Sequence, residues 1–359
     1  MSDARVTRDG LEGVRPGREA RPSAPARETS DDHGHGGNGS GAAGGENRRR
    51  GRGSDQFSSY YGKPIIKPPV WRERDIAGYL FAGGLAGASS ILAAGGELSR
   101  RPRLARRCKV CASGALAVSL AALVHDLGRP ERFVNMLRTF KPASPMSVGS
   151  WLLGAYGPLT AAALFSDISG RAPRAGRAAS VAAGGLGAGV ASYTAALIAN
   201  TAVPAWHGGH RELPFVFVGS AASAGAGFAL IAAPLVESGP ARRMAVLGAS
   251  AELIAEKLME RRLGMVAETL HEGTAGRRLN VATALTALGA LGAATLASRR
   301  RSAAVLSGAA LLTGSALTRF GLFEAGMASA RDPKYTVEPQ RERLGAEAVT
   351  AARRAEPRR

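Results

Sequence analysis

The feature that most constrains this chain is the segregation of its charges into short clusters between long runs of Ala, Leu, Gly, Val, Ser and Thr. A soluble helical protein spreads charge along the polar face of each helix. A chain that crosses a membrane repeatedly gathers charge at the ends of apolar stretches. The overall balance conceals this pattern: 45% hydrophobic residues, 21% charged residues and a net charge of +19 suggest a soluble basic protein. A membrane helix needs about 20 predominantly apolar residues. On that measure the candidates are 75–97, 108–127, 146–168, 178–203, 213–236, 244–260, 280–297 and 302–326. The sequence therefore predicts an all-α, polytopic membrane helix bundle with about eight transmembrane helices. Two runs are less regular: the second is bounded by a charged motif, and the sixth carries Glu252, Glu256, Lys257 and Glu260 in its second half.

Residues 1–56 are rich in Arg, Gly, Ser, Pro and Asp, and a stretch such as HGHGGNGSGAAGG has nothing to bury. This composition predicts a disordered tail. Residues 57–330 are expected to form the membrane domain and 331–359 a polar C-terminal tail. The first apolar run starts near Ile76, far beyond the usual place of a cleavable signal peptide, so the first membrane helix is expected to direct insertion. Small residues recur at close spacing in AGGLAGASS and AAGGLGAGVAS. Without a hydrophobic force between helices in lipid, close backbone approach at such residues supplies much of the attachment. Basic residues flank the runs on both sides, so the loop-charge rule leaves the orientation open.

The two cysteines, Cys108 and Cys111, exclude a disulfide framework, a four-cysteine cluster and a structural zinc site within the chain. Their CKVC spacing is that of a redox pair, but in a helix entering the membrane the thiols sit on neighbouring turns as small hydrophobes. Of six histidines only His125 falls at a predicted helix, whereas a transmembrane b-type haem needs two bundle-facing ligands. No phosphate loop, HExxH motif or serine-hydrolase elbow occurs. No catalytic residue, metal ligand or nucleic-acid partner is therefore assigned, and any metal redox centre is expected on another subunit.

The most specific stretch is His125–Trp151, HDLGRPERFVNMLRTFKPASPMSVGSW. It places His125 and Asp126 at a helix end, then Arg129, Arg132, Arg138 and Lys141 before a proline-bounded start of the third run. Ionisable groups at membrane depth are costly, and a carboxylate beside guanidinium groups is the natural way to keep them there. A pair between Asp126 and Arg129 or Arg132 can lock the loop or meet a polar ligand. His125 beside a carboxylate suits proton exchange. Tyr79, Tyr156, Tyr193 and Asn200 are polar groups on helices that can face the bundle, although intramembrane tyrosines commonly serve as anchors or interhelix bonds. Glu252, Glu256 and Glu260 share one helix face. The reading preferred here is a helix that emerges from the membrane, leaving Glu252 and Glu256 as the deep acids.

These residues resemble the NrfD, or polysulfide-reductase, membrane-subunit family. The resemblance runs through SYYGKPIIKPPVW, DLGRPERFVNMLR, SPMSVGSW, SYTAALIANTAVPAW, RELPFVF, MERRLG and RFGLFEAGMASARDPKYTVEPQRER. It implies an eight-helix, quinol-binding subunit in the plasma membrane that binds menaquinone or ubiquinone and carries no haem or iron–sulfur cluster of its own. The implied partners are a 4Fe-4S ferredoxin-like iron–sulfur subunit and a molybdopterin catalytic subunit. On this reading the chain is a non-catalytic subunit. His125, Asp126, Arg129, Tyr193, Asn200, Glu252 and Glu256 are the candidates for quinone contact or proton transfer, and Arg132, Arg138 and Lys141 for partner docking or loop locking. Two alternatives stand beside it: a structural anchor without quinone chemistry, which the basic loops would also suit, and a secondary transporter, which predicts an inverted repeat with broken helices.

Overall fold

The computed structural model describes residues 65–127, 135–342 and 344, and two three-residue strands, Arg5–Thr7 and Gly10–Glu12, which pair antiparallel. The chain divides into Met1–Ser54 and Asp55–Arg359, and all the helices belong to the second unit. Most of the two expected tails, and residues 128–134 with Arg129 and Arg132, lie outside the described residues.

Eight long helices are described: α1 (Glu73–Leu98), α2 (Pro102–Leu127), α3 (Pro145–Ser169), α4 (Pro173–Ala199), α5 (Leu213–Ala232), α6 (Gly239–Leu263), α7 (Gly273–Thr295) and α8 (Arg301–Arg331). They correspond one for one to the eight apolar runs. Proline accounts for many of the starts: Pro102, Pro145, Pro173, Pro214 and Pro240 occupy the first turn of α2 to α6, where no backbone N–H is missed. At α3 the Ser144 hydroxyl also accepts from Ser147 N, and Gly170 ends the helix in the left-handed conformation. Six helices (α1 to α5 and α8) are long and apolar enough to cross a membrane. The other two are α6, with its arginines and glutamates, and α7, whose first turns include Arg277 and Arg278 and which stops at Thr295.

Connections of a few residues alternate with longer ones. The hairpins α1–α2, α3–α4, α5–α6 and α7–α8 turn on one face, hereafter the hairpin face. Residues 135–144, the α4–α5 and α6–α7 connections and residues 65–72 and 332–342 lie on the opposite, terminal face. Helix α1 packs against α2 and α4, and α3 against α4 and α2. The same pattern repeats in the second half: α5 packs against α6 and α8, and α7 against α8 and α6. The halves join along α1 and α5, flanked by α1–α8 and α4–α5 contacts. An even number of helices per half makes both halves run in the same direction. They are not the inverted repeat the transporter alternative predicts, and each long helix is continuous.

The small residues sit where these helices cross. A Cβ on Gly87 of α1 would fall 2.3 Å from Gly187 O of α4, and one on Gly227 of α5 would fall 2.6 Å from Gly308 O of α8. The two halves thus use the same device at the equivalent crossing. Across the join, a Cβ on Gly225 would approach Ala88 Cβ to 2.7 Å. Lys109 of α2 is buried near the hairpin face, bonded to Glu97 of α1 at 2.6 Å and to Asp167 of α3 at 3.2 Å.

Candidate functional site

Two polar groupings sit in the terminal half of the bundle, one in each four-helix half. In the first, His125 in the last turn of α2 places Nδ1 2.9 Å from Oδ2 of Asp75 in the first turn of α1. Its neighbour Asp126 accepts from Arg72 N at 3.3 Å. The sequence singles out His125 and Asp126 as a pair; the structure gives each its own partner, and both partners come from the start of α1. His125 is 63% exposed and Asp75 18%, so the imidazole is open to ligand or solvent while the carboxylate is mostly enclosed.

Tyr193 of α4 packs against the core cluster that Trp71 and Leu123 also cover, and its hydroxyl is buried without a partner among the described residues. Its ring occupies the space that a side chain at position 149 would need: a Cβ on Gly149 would stand 2.3 Å from Tyr193 Cε2. Asn200 caps α4 at the same end and is exposed. Tyr156 turns out to be an interhelix bond, its hydroxyl 2.7 Å from Ser90 Oγ of α1, and Tyr79 lies buried in α1. Arg138 and Lys141 are exposed on the terminal face.

The second grouping is built on α6 and α8. Glu252 is buried and accepts from Thr318 Oγ1 at 2.9 Å. One turn of α8 carries both Thr318 and Arg319, whose guanidinium is buried, donates from Nη2 to Phe217 O at 2.6 Å and lies 3.8 Å from the Phe217 ring centre. Glu252 Oε2 and Arg319 Nε and Nη1 have no hydrogen-bond partner among the described residues. Buried polar groups left open in this way are normally met by water. Nearer the surface, Glu256, Glu260, His271, Asn280 and Thr283 line a cavity of about 30 Å³, large enough for one or two waters. The glutamate face of α6 is therefore graded, from buried Glu252 through half-buried Glu256 to Glu260, which bonds Lys257 at 2.7 Å.

A larger cavity of about 780 Å³ opens on the terminal face among Ile65, His207, Arg262, Leu263, Val266 and Tyr335. It gathers segments that stand far apart in sequence: IIKPPVW, TAVPAW, MERRLG and KYTVEPQ. Tyr335 and Lys334 flank Glu268, with Lys334 Nζ 2.8 Å from Oε2. Partial burial raises the Tyr335 phenol above its ordinary range, and the hydrogen bond to Glu268 raises the Lys334 ammonium.

Sequence reading missed Asp75, Lys109 and Arg319. Arg319 had a signal, a single arginine inside an apolar run, and intramembrane charge is a functional hypothesis by default. Asp75 had none, since it opens a helix 50 residues from His125.

Eight long helices in two like-oriented halves, six of them long and apolar enough to span, with ionisable groups inside the bundle, define a multi-pass membrane protein. A family model described as polysulphide reductase, NrfD, matches residues 66–267, more than half of the chain. The chain belongs to the NrfD family of membrane subunits of oxidoreductase complexes. The match spans α1 to α6 and ends before α7 and α8, so Arg319 and the 334–342 helical segment lie beyond it. A search of curated proteins gave no match.

Proposed function

We propose that this subunit exchanges electrons between a membrane quinol or quinone, of the menaquinone or ubiquinone type, and an iron–sulfur subunit docked on it, with a molybdopterin catalytic subunit beyond, at the plasma membrane. Family membership supports the class of complex. The observation that carries the quinone reading is the terminal-face grouping of His125, Asp75 and Asp126, with the unpartnered Tyr193 hydroxyl on the same apolar core. A quinone supplies two carbonyl oxygens that gain protons and electrons together, so its pocket needs donors and acceptors in an apolar setting with a route to water. The residues fit that requirement. Tyr193 holds a hydroxyl that nothing in the described chain satisfies. Asp75 orients the His125 ring, and the exposed imidazole can pass a proton to solvent. Asp126 fixes the start of α1 through Arg72 N. Arg129 belongs to the same proposed site.

Glu252 and Glu256 are proposed to carry protons in the second half, where the small cavity beside Glu256 provides room for connecting water. Arg138 and Lys141, exposed on the same face, are proposed with Arg132 to meet the iron–sulfur partner.

The test is purification from gently solubilised membranes, with co-purifying proteins identified and extracted quinone quantified. The expected result is an iron–sulfur partner and near-stoichiometric quinone. Asp75→Asn and Tyr193→Phe are expected to lower the quinone content while the partner is retained. An iron–sulfur partner with no quinone, even after quinone is added, would establish a structural anchor instead.

A further inference from the structure

On the hairpin face a groove of about 430 Å³ runs between α6 and α7, lined by Gly239, Arg242, Arg243, Val246, Leu247 and the Ala293–Ala294 pair. Its two ends differ in chemistry. At the mouth, Arg242 closes the first turn of α6 and Arg243 follows it; that turn has no acidic residue and no side-chain cap, so the helix dipole adds to the positive potential. Arg242 Nε is buried without a partner among the described residues.

A third guanidinium reaches the same place from the α1–α2 hairpin. A Cβ on Gly239 would stand 3.0 Å from Arg101 Nη1, so the glycine leaves the room that Arg101 uses. Arg101 Nη1 also donates to Glu237 O at 3.3 Å. Glu237, two residues before Gly239, turns one carboxylate oxygen to Leu104 N at 2.8 Å. Three guanidiniums against this one carboxylate leave the mouth positive. Away from the mouth the lining is apolar, and Leu247 is 71% exposed on the outer surface of the bundle.

Guanidinium forks match phosphate oxygens in geometry and charge. An apolar floor continuous with a lipid-facing surface suits an acyl chain and has no use for a free ion. Basic pockets between transmembrane helices at a membrane surface have this character. We propose that the α6–α7 groove binds an anionic phospholipid, its phosphate held among Arg101, Arg242 and Arg243 and an acyl chain laid along Val246, Leu247 and Ala294. This assignment is independent of the quinone reading, because the groove lies on the opposite face from His125 and Asp75.

The full chain, purified in detergent, would be titrated with phosphatidylglycerol and with phosphatidylcholine and observed by native mass spectrometry. Phosphatidylglycerol should be retained and phosphatidylcholine lost. Arg242→Gln with Arg243→Gln should weaken phosphatidylglycerol binding by about tenfold or more. Arg174→Gln with Arg177→Gln removes the same charge from the α4 end of that face and should leave binding nearly unchanged. Equal losses in the two double variants would reduce the effect to diffuse attraction and overturn the site. Retention of phosphatidylcholine, or competition by inorganic phosphate as strong as that of the lipid, would overturn it as well. A second measurement needs no variant: phosphatidylglycerol, and not phosphatidylcholine, should protect Arg242 of the native chain from phenylglyoxal. Unchanged reactivity of Arg242 would also overturn the proposal.

Discussion

Gly87 and Gly187 pack backbone against backbone, and either Cβ would fall within 2.5 Å of the opposite carbonyl oxygen. Neither helix can yield locally, so Gly187→Ala is expected to cost about 1–3 kcal/mol through overpacking. Gly185, two residues away with nothing within 4 Å of its missing side chain, is the control. Gly185→Ala should be neutral or slightly stabilising, because alanine is the better helix former by about 1 kcal/mol. Both can be read by a thiol-reactive dye during heating, since Cys108 and Cys111 are free and buried and label only as the fold opens. The glycine-rich runs announced close contacts, but not which glycine faces which, because a run such as AAGGLGAGVAS offers several registers. Arg319 is the other residue whose value lies in its surroundings. Arg319→Met would leave Phe217 O and the open Glu252 carboxylate in the core without their cation. Loss of one partner from a buried ionic group costs about 3–5 kcal/mol. Arg278→Met, at a part-exposed site, should cost clearly less in the same assay.

The helices were legible because twenty-residue apolar runs bounded by Pro, Gly and charge have few other readings. Their ends were less so. The apolar run suggests that α2 begins at Cys108, but it begins at Pro102, and the added turns present Arg103, Arg106 and Arg107 outward while burying Leu104 and Ala105. That shift moves Lys109 from a helix start into the interior, where its side chain is 5% exposed and bonds Glu97 and Asp167. One ammonium thereby ties three helices together at the hairpin face. Lys109→Met would leave Glu97 unpaired and Asp167 with Arg106 at 3.8 Å, and at these part-exposed carboxylates is expected to destabilise by about 2–3 kcal/mol. Adding Glu97→Gln and Asp167→Asn to Lys109→Met should recover part of the loss, because the unpaired charges go with the cation. A single variant that melts like the native chain would show that water already screens the site. Helix α6 makes the complementary point. Its glutamates suggested an end emerging from the membrane; the helix itself continues unbroken to Leu263, with Glu252 buried and Glu256 and Glu260 half-buried along it.

No repeat is apparent when the first four apolar runs are compared with the last four, yet the two halves share one contact pattern. Helix packing in lipid asks only for small residues at the crossings, so Gly87–Gly187 and Gly227–Gly308 can be equivalent in space while the sequences around them drift apart. What joins the halves is more particular. Between α4 and α5 the short helix Pro204–Gly208 carries Trp206, which is buried and donates from Nε1 to Leu322 O of α8 at 2.9 Å. Its ring stacks on Trp71, just before α1, at 5.8 Å and lies 5.5 Å from Phe323. Arg278 of α7 adds a second tie, bonding Glu73 of α1 and Glu324 of α8. Trp206→Ala should therefore cost about 3–5 kcal/mol, as for a fully buried tryptophan. Trp206→Phe keeps most of the ring contact and gives up one hydrogen bond, a loss nearer 1 kcal/mol. If the calorimetric unfolding of Trp206→Ala splits into two transitions and the thiol dye follows just one of them, the halves are separate folding units that this ring couples. The cysteines of α2 would then report the first half alone, and intrinsic tryptophan fluorescence, which retains Trp71 and Trp151, would follow the same step. A single, lowered transition would instead make the eight helices one cooperative unit, with the α1–α5 crossing as the principal join.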